Sequence, residues 1–518
     1  MKRVTWWGKW ICAGALALAL AASAFASDPS IKSAKDRLIY GVYGEAAALD
    51  PGMTKDVVSH MMMYQIYDTL VKNDPNDFLK IVPGLAEKWE FSPDGKEVTF
   101  YLRKGVKFHN GDVMTADDVQ FSLDRSLKSS FSSGIRGPIV AFEKVDDNAV
   151  KCVMQYAYLP VLEVLTNLTF GIVSKRAVEE AKANGIDFGR NPCGTGAYKM
   201  VSWQSGNELV LERFDEYYDG PAYIKNLVYK LIPDTGSGAL ALESGAIDCY
   251  YNVANSDYQY MMEQPNVAYV QCPGIGIWHV VFNVTDGIFK DKRLRQAVAY
   301  AINLEDVVVG GMDGYAEVAT CLSPSTAFGY DKDAKWYQQN IKKAKELMAE
   351  AGYPDGFEVS FRMMGTPTYV KPAEVIQDQL RQIGIKVKFE KMERAAFLED
   401  VTANRQFVAA VHMINATIRD ADLILNRRVH GGKMIGGGNN YAGYSNPEVD
   451  ALIDAARQST DENERKNLYK KVFEILKEDV PYIPLYTNQS YFFFNKKLKN
   501  FHKNPLYRFY IHNMYFES

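Results

Sequence analysis

Asp420 and Asp422 are the nearest thing in this 518-residue chain to paired carboxylates, the pattern that general acid–base chemistry requires. Their plainer role is a surface pair capping the helix that begins near Leu423. A serine hydrolase would need a nucleophile elbow of the form G-x-S-x-G, and Gly236-Ser237-Gly238 lacks that spacing, so it reads as a glycine-bounded helix start. His109, His279, His412, His430, His502 and His512 are scattered and form no H-E-x-x-H pair, and no cluster has metal-ligand spacing. Ser59-His60-Met61-Met62-Met63 offers soft ligands, but successive helical residues cannot all face one ion, so Met61 and Met62 read as core. These residues support neither a catalytic centre nor a metal site nor a cofactor.

Residues 1–26 carry the marks of an export signal. Lys2, Arg3 and Lys9 form a positive start, Ala13 to Ala22 an apolar core, and Ala24-Phe25-Ala26 a small-residue cleavage site. The apolar core is shorter than the roughly 20 residues a membrane span requires. Cleavage would remove three positive charges, taking the formal net charge from −4 to −7. With no basic stripe, nucleic acid is not the expected partner. Cys152, Cys193, Cys249, Cys272 and Cys321 would remain, and in an oxidising compartment they allow one or two disulfides with a thiol left over. No C-x-x-C is present, which removes thiol redox catalysis and a zinc ribbon.

The elements that would position any site are well punctuated. Leu38 to Val42 reads as a strand, and Ser59 to Val71 as a helix. In GLAEKWEFSPDGKEVTFYLRKGVKFHNGDVMTADDVQFSLDR, from Gly84 to Arg125, Asp94-Gly95 predicts a hairpin turn. Val98, Phe100 and Leu102 alternate as one buried face there. Thr115 with Asp118 forms a capping box ahead of Ala116, Val119 and Leu123 at helical spacing. Further blocks run from Gly194 to Gly220, Asp234 to Tyr250, Phe282 to Val308 (with Arg293 and Arg295 read as outward), Lys343 to Arg362 and Gly443 to Tyr486. The second half alternates helices with strands, which predicts an α/β lobe.

In order and wording these blocks closely resemble the family 5 extracellular solute-binding proteins, the receptors of peptide- and nickel-type ABC importers, over nearly the whole mature chain. The resemblance implies an α/β, two-lobed periplasmic binding protein (type II, cluster C-like) with an extra N-terminal subdomain. It implies residues 27–273 as lobe 1 including a subdomain at about 60–190, residues 274–486 as lobe 2, and residues 487–518 returning to lobe 1. The crossovers fall near Cys272 to Ile277 and Leu485 to Gln489. The implied function is a monomeric periplasmic receptor that closes on a short peptide or glutathione-like solute and delivers it to an inner-membrane ABC permease. Nickel chelate, opine, haem or oligosaccharide ligands also occur in the family. A secreted hydrolase or a receptor-fold chaperone is the rival from another class.

The resemblance also carries site residues. Arg419-Asp420-Ala421-Asp422 stands where the family has an acidic x-D-P-D-like motif beside the cleft, here without its proline. Thr417 stands near the Asp that pairs a peptide α-amine in many relatives, and a threonine cannot pair a charge. The Ala421-Asp422 spelling is closer to glutathione-type receptors. Glu45 and Ala46 after the first strand, Trp278 and His279, Arg394, and Asn439, Asn440 and Tyr441 after the glycine run Gly436 to Gly438 complete the expected ligand set. Trp278 and Tyr441 would supply aromatic surface, and Arg419 or Arg394 a bidentate partner for a ligand carboxylate.

Overall fold

A computed structural model describes residues 30–54, 56–433 and 439–518. The export-signal reading and the glycine run Gly436 to Gly438 lie outside the described residues.

Two long antiparallel strands organise the molecule. Val267–Phe282 pairs with Tyr482–Asn495 along most of its length, and the register breaks between Pro273 and Ile277. They lie mid-way in a mixed sheet of eleven strands among the described residues. On one side follow Ala409–Asn415, Phe357–Met364 and Ile385–Met392, the last two parallel. On the other follow Cys249–Tyr250, Arg37–Val42, Asn226–Leu231, Glu208–Arg213 and Tyr198–Gln204. The sheet therefore runs through both lobes, and the register break weakens it where they meet.

Each lobe has its own core. Leu38, Tyr40, Phe100 and Leu211 belong to the first, which also takes in Phe492, Phe509, Ile511 and Phe516 from the C-terminal end. The second lobe packs on both faces of its sheet, with Trp278, Val280 and Phe282 on one side and Ile277 and Val281 on the other, as strand alternation demands.

The first lobe carries a four-stranded antiparallel sheet of Ala86–Phe91, Glu97–Leu102, Ala149–Met154 and Ile139–Asp146. Its hairpin turns at Gly95, whose φ of +68° suits glycine. Val98, Phe100 and Leu102 are buried, and the Thr115–Asp118 capping box starts helix Ala116–Lys128 with both reciprocal bonds formed. Among the described residues, no helix is long and apolar enough to cross a membrane.

Three sequence expectations change. The helix read as Ser59 to Val71 is Val57–Ile66, and Val71–Asn73 is a strand paired with Ile81–Pro83. The Ile66 carbonyl accepts from the Gly196 amide, which draws the glycine-rich loop onto the helix end. Arg295 is buried rather than outward, because its guanidinium donates to the carbonyls of Phe289, Lys290, Asp479 and Val480. It thereby closes the C-terminus of helix Glu462–Asp479. All five cysteines from Cys152 onward are free thiols buried in the cores, so none of the disulfides that the sequence allows is formed. Burial pushes the Cys152 thiol above its usual range.

Candidate functional site

A cleft of about 670 Å³ opens between the lobes at the register break. The crossover strands form its floor through Ile275, Gly276 and Asn488 to Phe492. The first lobe contributes Tyr43, Thr235 and the Tyr251–Ser256 loop. The second contributes Trp278, Met413 and Asn415, the end of helix Leu304–Met312 and the start of helix Pro367–Arg381. Tyr507 comes from the C-terminal segment.

The walls are aromatic. Tyr251 packs edge-on against Tyr43 and Tyr507, and Tyr258 packs on Tyr491 at 4.6 Å between ring centroids. Trp278 is stacked on Tyr486 and meets Tyr369 edge-on. Between these rings stand carboxamides and hydroxyls, including Asn252, Asn255, Asn415, Asn488 and Ser256. Among the described lining residues only Asp313 and Lys371 are formally charged, and they pair with each other at 3.4 Å. An aromatic cleft with a few directed polar groups binds a small solute by burial and hydrogen bonding. Among the described residues no group of three His, Cys, Asp or Glu side chains is placed to hold a metal ion.

Of the residues expected from the sequence, Trp278 lies on this wall. The others lie outside its lining. His279 is the next residue on the strand and so points to the opposite face, where its ring is fully buried and Nε2 meets the Tyr441 hydroxyl at 3.1 Å. Burial lowers its pKa to about 3. Tyr441 is itself buried in the second-lobe core, and Asn440 uses its amide to staple the carbonyls of Val429, His430 and Tyr444. The Asn439 carbonyl accepts from Arg428. Ala46 is buried in the first-lobe core, and exposed Glu45 accepts from the Trp203 indole and the Gly206 amide on the outer surface. Arg394 opens a short helix in solvent. Thr417 is half-buried on the turn beyond the cleft wall.

Arg419 and Asp420 are the sharpest corrections. Arg419 forms a bidentate ion pair with Glu163 of the first lobe, both bonds 2.9 Å, and cannot also pair a ligand carboxylate. Asp420 caps helix Ala421–Arg428 at the Asp422 amide and pairs with Arg465 at 2.7 Å and the Tyr469 hydroxyl at 3.0 Å. Asp422 takes a hydrogen bond from Tyr158 of the first lobe and an ion pair from Arg457. Burial pushes its carboxyl up, and Arg457 opposes that shift. The acidic pair is therefore a buried brace and not a surface cap. What the residue reading missed is Asn415, two residues before Thr417, together with Asn488 and the Tyr251–Ser256 loop. The crossover at Leu485 to Gln489 was the available signal, since a cleft must adjoin its hinge.

The model of the bacterial extracellular solute-binding proteins, family 5 (Middle), matches residues 80–435. The chain belongs to that family. It is 29% identical to the oligopeptide-binding protein AppA of Bacillus subtilis, over 90% of this chain and 89% of the relative. It is 28% identical to the glutathione-binding protein GsiB of Salmonella choleraesuis, over 95% and 96%. Among solved structures, the periplasmic binding protein DppA of Helicobacter pylori in complex with the peptide STSA superposes with a TM-score of 0.79. That match has 28% identity and covers 93% of this chain and 98% of that one. The two-lobed fold thus serves binding, and this family 5 chain is a solute-binding protein rather than an enzyme.

Proposed function

We propose that this protein is the periplasmic receptor of an ABC importer, capturing a short peptide or glutathione-like solute by closure of its lobes and passing it, as a monomer, to an inner-membrane permease. The division is at 273/274, with residues 487–518 returning to the first lobe. The observation that carries the reading is the aromatic interlobe cleft on the crossover strands: a ligand touching both walls stabilises the closed state more than the open one. The similarity to oligopeptide- and glutathione-binding relatives supports the solute class. A pocket of this volume accepts a few residues of peptide.

A thermal-shift screen of refolded, ligand-free protein against dipeptides, tripeptides, glutathione and nickel chelates tests it. A true ligand stabilises by RT ln(1 + [L]/Kd), about 2.7 kcal/mol at a hundredfold excess over Kd. A shift with a chelate or a sugar and none with any peptide would refute the peptide assignment while leaving the receptor fold in place.

A further inference from the structure

The polar floor of the cleft is built around a glycine. Gly276 pairs with Asn415 across the sheet and lies in the register break opposite Asn488. A Cβ built on Gly276 would stand 3.1 Å from the Asn415 side-chain oxygen and 3.2 Å from that of Asn488. The two carboxamide heads thus converge over the same glycine, one from each neighbouring strand, with the Met413 sulfur beside them at 2.9 Å from the same point. Neither side chain has a hydrogen-bond partner among the described residues, although both line the cleft. A carboxamide carries two donors and an acceptor in one plane, so a facing pair matches a group that itself both donates and accepts. Apart from Asp313 and Lys371, which face each other at 3.4 Å, no side chain among the described lining residues is formally charged. Arg419 and Asp420, the groups that could have met charged ligand ends, are sealed in pairs with Glu163 and Arg465.

We infer that Asn415 and Asn488 form an amide clamp over Gly276, and that the cleft recognises uncharged amide groups of its solute, the interior of a peptide rather than a free ammonium or carboxylate end. This rests on the peptide-receptor reading and narrows it. A charged terminus brought against the two carboxamides would lose its hydration there without gaining an opposite charge, whereas a blocked end loses little. The neutral peptide bond, held between two carboxamides and stacked among Tyr251, Tyr258, Tyr491 and Trp278, exchanges its water hydrogen bonds for protein ones.

The test is calorimetric titration of the full mature protein, refolded free of ligand, with a tripeptide pool and with the same pool acetylated and amidated. The expected result is a capped-pool Kd equal to or tighter than the free-pool Kd, within about threefold from low to high salt. Asn415→Ala and Asn488→Ala should each weaken capped-peptide binding about tenfold, the scale of one lost hydrogen-bonding group. Their unliganded melting temperatures should stay close to wild type, because Asn415 is exposed and Asn488 half-buried. Asn415→Asp should reverse the preference, making free-amine peptides bind better than capped ones and doing so in a salt-dependent way. Binding of the free pool with rejection of the capped pool by wild-type protein overturns the clamp while the peptide-receptor function stands. Equal binding of capped peptide by wild type and both alanine variants also overturns it. No binding of either pool overturns the peptide assignment itself.

Discussion

At the level of single residues, the buried ion pair Arg419–Glu163 shows how much one side chain's neighbours decide. Arg419 is 2% exposed, and Arg508 stands 4.0 Å from the same carboxylate while bonding Asn73 and Thr166. Removing Arg419 leaves Glu163 with the Asn73 amide and a second guanidinium; removing Glu163 leaves two buried cations facing each other. Breaking a buried pair from one side costs roughly 3–5 kcal/mol, and the asymmetry here places Glu163→Ala at the top of that range and Arg419→Ala below it. Denaturant titration of both variants and of the double variant checks this; equal losses would mean that Arg508 does not share the carboxylate. His279 supplies a second residue-level expectation. Its pKa is about 3 in the folded protein against the ordinary value of 6.5, because burial disfavours the charged ring. The unfolded chain therefore binds more protons between those two values, so stability is complete above about pH 6.5 and is lost progressively as pH falls toward 3. His279→Gln should lower the slope of stability against pH in that window by up to one proton, read from urea midpoints between pH 4 and 7. An unchanged slope would show that the ring is protonated in the native state. Neither behaviour was legible in the sequence: the arginine and the histidine looked available because the partners that consume them, Glu163 and Tyr441, lie 256 and 162 positions away in the chain.

At the level of elements, the sequence was most readable where structure is local. The Asp94-Gly95 turn and the Thr115–Asp118 box involve contacts within a few residues, so spacing alone defines them. It was less readable where the same residue type does two jobs. Gly236 and Gly238 both lie in helix Thr235–Glu243 and look alike in a G-S-G string. A Cβ at Gly236 would meet only the Asp234 carboxylate at 3.6 Å, whereas one at Gly238 would fall 2.1 Å from the ring of fully buried Tyr250. Gly236→Ala should accordingly stabilise the protein by about 0.5–1 kcal/mol through helix propensity. Gly238→Ala should destabilise it by roughly 1–3 kcal/mol or more, because the tyrosine must be displaced from a packed core. Melting temperatures of the two variants check the contrast, and a loss at Gly236 equal to that at Gly238 would rule out the packing explanation. The cleft escaped residue-level reading for a related reason: it is assembled from a loop, two strand ends, two helix ends and the C-terminal segment, and no window of sequence contains more than a fraction of it.

At the scale of the whole molecule, the polar contacts between the lobes and the cleft belong to one equilibrium. The turn that follows strand Ala409–Asn415 sends Ile418 into the first-lobe core, Arg419 onto Glu163 and Asp422 onto the Tyr158 hydroxyl at 2.9 Å. Asn415, on the cleft wall, begins the same segment. Opening the lobes must break these cross-lobe bonds, so they contribute to closure whether or not solute is bound. The apparent affinity of a ligand scales with the fraction of protein already in the binding-competent state. Tyr158→Phe isolates this effect, because it deletes one hydroxyl far from the solute and leaves Asp422 its ion pair with Arg457. One lost hydrogen bond to a buried carboxylate is worth about 1.5–3 kcal/mol. Where the free protein is mostly open, that loss appears as a ligand Kd raised about tenfold or more and a slower closing step. Solution scattering should then show a larger radius of gyration for the unliganded variant, with the liganded forms superimposable. A variant with wild-type affinity and an unchanged radius would mean that the lobes are held together by Ile418 and its apolar neighbours alone, and that the polar brace sets the register of closure without biasing it.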